Sequence, residues 1–144
     1  LFEWSLFAMA GNPEIHNNNY AGTENIDKDN MFNSPDGLGF NKEGVLLIQT
    51  DGRYSNEGEY IGMGNNQMLC GNPITGEIKR FLVGPKECEV TGMTWSKDNK
   101  TLFVGMQHPG EKGNSHFPGG KNSVPRSSVI AISKKDGSKI TFIS

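Results

Sequence analysis

Apolar residues along this chain come in short bursts, divided by clusters of turn formers. VLLIQ (45–49), MLC (68–70) and LFV (102–104) are flanked by Gly, Asn or Asp, and VIAI (129–132) lies between Pro125 and Asp136-Gly137. Bursts of this length with such punctuation predict β-strands joined by tight turns. PDGLGFNKEGVLLIQTDG (35–52) and VTGMTWSKDNKTLFVGMQHPG (90–110) each read as strand, turn, strand. QMLCGNPITGEIKRFLV (67–83) and SVIAISKKDGSKITFIS (128–144) read as two further hairpins, turning at NPITG and KKDG.

These segments repeat one another. Gly37 matches Gly92, Leu38 matches Met93 and Phe40 matches Trp95; after a one-residue insertion Leu46, Leu47 and Ile48 fall on Leu102, Phe103 and Val104. Gly76 matches Gly137 in the second pair of hairpins. Four antiparallel strands per unit, occurring twice in the same order, predict an all-β fragment of a β-propeller. One blade spans about 37–83 and the next about 90–144, with EWSLFAMAG (3–11) as an outer strand of a preceding blade and 12–36 as a loop. Two blades cannot close a ring. The chain also begins without Met or a signal-peptide pattern and reads as part of something longer. Its open edges call for the remaining blades or self-association.

Composition adds exclusions. The 19 glycines suit a turn-rich β protein. The net charge of −2 and the lack of a basic run argue against nucleic-acid binding. No apolar stretch has the length of a membrane span. Two cysteines, Cys70 and Cys88, are too few for a disulfide framework and read as free structural thiols.

In a propeller the loops alternate between two faces. The within-hairpin turns are short and generic. The loops at 30–36, 51–66, 84–89 and 106–127 share the other face and hold most of the unusual polar residues. Long loops on one end of a rigid scaffold are where function usually resides. Asp36 and Glu89 lie one and three residues before the glycines of their inner strands, so both sit near the channel mouth. Carboxylates gathered there repel unless protonated or bound to a cation, and carboxylate and amide oxygens suit hard cations. Each also has a plainer reading: Asp36 caps a Ser-Pro-Asp-Gly turn, and Glu89 is an exposed loop acid. Asp51-Gly52 is a common turn pair, Asn65-Asn66 suits turn duty, and His108 precedes a proline in an extended stretch. GMGNNQ has the glycines of a phosphate cradle but no following helix.

NMFNSPDGLGF, IQTDG, GNNQML, TGEIKRFLVGP, CEVTGMTW and FVGMQHPGE, taken in this order, resemble the PhoX-type alkaline phosphatases over about residues 3–133. The resemblance implies a six-bladed propeller that hydrolyses phosphomonoesters with calcium and iron at the channel mouth. It also implies export to the periplasm by the twin-arginine route. It makes Asp36 and Glu89 metal ligands, with Asp51, Asn65 and His108 as further contributors. Phosphate-contacting residues are expected upstream, and no such role passes to Cys88 or Arg80. Two other functions fit the same architecture: a lactonase-like metal propeller, and a non-catalytic propeller stabilised by calcium.

Overall fold

The computed structural model describes residues 1–53 and 55–142. The expected all-β architecture is present. A four-stranded antiparallel sheet contains β1 (Pro35–Phe40), β2 (Leu46–Thr50), β3 (Gln67–Gly71) and β4 (Ile78–Val83) in sequence order. A three-stranded sheet contains β5 (Glu89–Trp95), β6 (Thr101–Gln107) and β7 (Ser128–Ser133). Among the described residues helix is confined to two short 3-10 turns, Asn19–Ala21 and Gly58–Tyr60. No helix among the described residues is long and apolar enough to cross a membrane.

Burial explains the bursts. Leu47, Met68 and Cys70 project from one face of the first sheet onto Cys88, Val90, Leu102, Val104 and Met106 of the second unit. Ile48, Leu69 and Ile78 project from the opposite face and are covered by Ile26, Met31, Phe32 and Met63. With both faces covered, β2 and β3 are apolar without alternation. In the second sheet one face is bare, so β6 alternates: Leu102, Val104 and Met106 are buried, while Thr101, Phe103 and Gly105 are only partly covered. Burying such a side chain fully contributes about 1.5–3 kcal/mol, so the inter-sheet core and the covered outer face both stabilise the fold.

The repeat extends to irregularities. The register slips between Pro35 and Leu38 in β1 and between Thr91 and Met93 in β5. These are equivalent positions, immediately before the matched Leu38 and Met93. Each is a β-bulge, a device that re-aims a side chain. Gly92 there has φ 55°, a conformation that costs glycine little. The bulge is also where the sheets are tied by a polar contact: Gln49 Nε2 donates to the Gly92 carbonyl at 3.1 Å.

Two segments that carry strand patterns make no ladder among the described residues. Residues 3–11 pair with no strand; Thr23 N–H donates to the Met9 carbonyl at 3.1 Å, and Asn25 Nδ2 to that of Phe7 at 3.0 Å. Phe7, Ala8 and Ala10 thereby pack on the outer face of the first sheet. A buried asparagine staples the adjacent segment, Asn30 donating through Nδ2 to the Asn25 and Ile78 carbonyls at 2.9 Å each. Residues 12–34 thus form a cover over that face as well as a loop. After the turn at Lys134–Gly137 the chain leaves the edge of β7. Ile140 enters the inter-sheet core, and Phe142 packs edge-on against Phe81 and Trp95 with centroids at 4.8 and 5.8 Å. Apolar burial prevails over strand pairing there; Ile143 and Ser144, the rest of the expected strand, lie outside the described residues.

Candidate metal centre

Strand direction gathers the polar loops at one end. Pro35, at the start of β1, opposes Thr50 at the end of β2. Glu89, at the start of β5, opposes Gln107 at the end of β6. Asp51 and His108 are the residues that immediately follow β2 and β6. Stacking the sheets then brings Asp51 of the first unit against Glu89 and His108 of the second. Among the described residues these three place one ligand atom each within 4.8 Å of one another. Two ligands bound at about 2.0–2.5 Å to one ion stand at most about 4–5 Å apart, so the donor set fits a single cation.

The surroundings orient the donors. The Glu89 side chain is only 12% exposed, and its Oε2 lies 3.8 Å from His108 Nε2. That is too long for a hydrogen bond. The other ring nitrogen, Nδ1, donates to the Glu87 carbonyl at 3.3 Å. A proton held on Nδ1 leaves the Nε2 lone pair directed at Glu89, the arrangement by which a carbonyl presents a histidine to a metal. His108 N–H donates to Ser127 Oγ at 2.9 Å, and Glu111 Oε2 lies 3.9 Å from Nδ1.

Glu87 anchors this arrangement. Its buried carboxylate accepts the backbone N–H groups of Lys112 at 2.8 Å and Asn114 at 3.2 Å, and also the Asn114 side-chain amide. Burial pushes the carboxyl up, but these hydrogen bonds outweigh it and hold the group below the usual range. Glu87 and His108 both adopt left-handed backbone, with φ 61° and 39°. Such conformations persist where surrounding contacts over-determine them, often at functional sites.

The remaining residues fall as follows. Asp36 is exposed within the bulge of β1, at the same end of the sheet but outside the three-residue group. Asn65 Nδ2 donates to the Gly84 carbonyl at 3.1 Å, and Asn66 is buried and engaged with backbone groups and the Thr50 hydroxyl. Cys70 and Cys88 are free and buried, and burial pushes the Cys88 thiol up to about 12, so it is inert. Arg80 is spent on the Gln67 side chain and the Met31 carbonyl. A cavity of about 450 Å³ adjoins Asp51 and is also lined by Arg53, Glu111 and Lys112. Glu87 and Glu111 were among the unusual polar residues of the long-loop face in the sequence, but the anchoring role of Glu87 and the place of Arg53 were not legible there.

The two stacked antiparallel sheets, with polar loops gathered at one end, define a segment of a propeller-type β protein. The family model for alkaline phosphatase PhoX matches residues 1–110. This chain belongs to the PhoX alkaline phosphatase family. A solved structure of Pseudomonas fluorescens PhoX in complex with vanadate, a transition-state analogue, is similar at 59% identity with a TM-score of 0.91. The alignment covers 93% of this chain and 23% of that one, so these residues span about a quarter of the neighbour's length. No curated protein matches the chain.

Proposed function

We propose that these residues belong to the C-terminal part of a metal-dependent phosphomonoesterase of alkaline phosphatase type. The observation that carries the proposal is the convergence of Asp51, Glu89 and His108 in a chain 59% identical to a PhoX bound to vanadate. Glu89 and Asp51 supply anionic oxygens and His108 supplies Nε2, a mixed set that suits iron as well as a harder cation such as calcium. Asp36, exposed at the same mouth, is a ligand for a neighbouring ion of the same cluster, with co-ligands from other blades. A cation held there would neutralise charge on a phosphoryl group and make a bound oxygen a better nucleophile. The chain's own contribution is placement. Glu87 holds the His108 ring, the inter-sheet core holds Asp51 against Glu89, and Arg53 and Lys112 set positive charge beside Asp51 to receive substrate oxygens. The natural setting proposed is the periplasm, reached by twin-arginine export, with the remaining blades covering the bare faces.

The test is made on the full-length protein. Elemental analysis should find iron together with calcium. Turnover of a chromogenic phosphate ester should disappear in Glu89→Gln and in Asp36→Asn, with no hydrolysis of lactones by wild type. Wild-type turnover by both variants would sink the assignment. Metal binding without hydrolysis of any ester would instead favour a non-catalytic propeller.

A further inference from the structure

The donors Asp51 and Glu89 come from different sheets, so their separation depends on whatever spans the junction beside them. Besides Gln49, which reaches Gly92, the buried side chain of Asn66 does this directly beside the donors. Asn66 Oδ1 accepts Gly52 N–H at 2.8 Å and the Thr50 hydroxyl at 2.9 Å. Asn66 Nδ2 donates to the Gly52 carbonyl at 3.0 Å and to the Cys88 carbonyl at 2.9 Å. The Gly52 N–H belongs to the peptide unit that follows Asp51. The Cys88 carbonyl belongs to the peptide unit that precedes Glu89. A single amide therefore grips the backbone on the near side of both carboxylates, and all four of its hydrogen-bonding positions are used. Its own carbonyl accepts Gly84 N–H at 2.8 Å, fixing the loop that leads to Glu89.

We infer that Asn66 is a positioning residue for the metal centre, setting the spacing of Asp51 and Glu89 across the sheet junction. This rests on the reading of Asp51, Glu89 and His108 as ligands. It assigns Asn66 no contact with the cation. The isosteric carboxylate of Asn66→Asp keeps both acceptor contacts but loses both donors, one to the Gly52 carbonyl and the other the link to Cys88. It also sets a carboxylate facing two carbonyls. Supporting groups of this kind typically change metal affinity by about 10–100-fold.

Asn30 provides an internal control. It is equally buried and also staples two carbonyls, but beneath the outer face of the first sheet, away from the donors. The experiment titrates metal-free full-length protein with calcium and, separately, with manganese(II), following heat of binding. The binding event abolished by Glu89→Gln identifies the site. Folding is checked by near-ultraviolet circular dichroism. Asn66→Asp should weaken that event about 10–100-fold while Asn30→Asp leaves it unchanged, even where both lower Tm. Should Asn66→Asp fail to fold, Thr50→Val, which removes one of the four bonds, should give a several-fold loss in the same direction. Unchanged affinity in folded Asn66→Asp, or in Thr50→Val where that variant stands in for it, overturns the inference. So does an equal loss in Asn30→Asp. If no variant matters because Glu89→Gln itself changes nothing, the metal reading has failed and the inference with it.

Discussion

Asp36 and Glu89 look like counterparts in the sequence, two acids just ahead of matched glycines, yet the fold treats them differently. The registers show that Val90 opposes Met106 as Pro35 opposes Thr50, so the residue equivalent to Glu89 in the first unit is Ser34, and Asp36 corresponds to Thr91. Glu89 stands where β5 meets the preceding sheet and there finds Asp51 across the junction and His108 beside it. Asp36 lies in the bulge of β1, exposed. In a repeat architecture a polar side chain acquires neighbours from the adjoining unit, so the same kind of residue joins a three-donor group at a filled junction and stands outside it at an open one.

The contrast can be broken in several ways. The largest effect should come from Glu89→Gln in the full-length protein. Loss of a charged donor should exceed the about 10–100-fold expected for a supporting residue, read as metal content after dialysis. Asp36→Asn should leave binding at the Asp51–Glu89–His108 group intact and remove a different ion; loss of the same binding event in both variants would show that the two acids share one ion. Next comes the junction. Leu47 is fully buried between the sheets, and Leu47→Ala should cost about 2–5 kcal/mol in chemical denaturation. Because the donors sit on opposite sides of that junction, metal affinity should fall with it, whereas a cavity behind Ile48, on the other face, should lower stability without the same loss. His108→Gln keeps a polar side chain but removes the imidazole lone pair. It should weaken binding about tenfold or more, with a larger loss for manganese than for calcium, since imidazole suits transition ions.

The smallest effect lies in a turn remote from the centre. The Ser96 hydroxyl and the Lys100 amide donate to Asp98, holding its carboxyl below the usual range. A depressed folded-state value stabilises above the unfolded value of about 4 and loses that contribution as pH falls through the folded one. The Tm difference between wild type and Asp98→Asn should therefore be present at neutral pH and vanish in acid. Metal affinity at neutral pH should be the same in both.

Much of this was legible because it is periodic. The four hairpin turns, the matched glycines and the segregation of long loops to one end follow from patterns inside short windows, and the fold obeys them. Glu89 was legible as a mouth carboxylate for the same reason. Asp51 and His108 were harder, because a turn Asp-Gly and a histidine before proline are ordinary loop features; only their places after β2 and β6 make them neighbours of Glu89. Residues 3–11 and 138–142 carry strand-like patterns but lack a ladder, and their apolar side chains found burial against the first sheet and the inter-sheet core instead.

By itself, then, the sequence determined the seven strands that pair among the described residues, where they turn and which loops share an end, since these depend on side-chain alternation and local turn chemistry; it did not tell them from 3–11 and 138–142, which have the pattern and no ladder. Only the tertiary structure decided which of the polar loop residues meet. That choice depends on how one sheet seats upon the next, through Leu47, Met68 and Val90 in the core and Asn66 at its rim. Contacts between units separated by tens of residues leave no periodic trace along the chain.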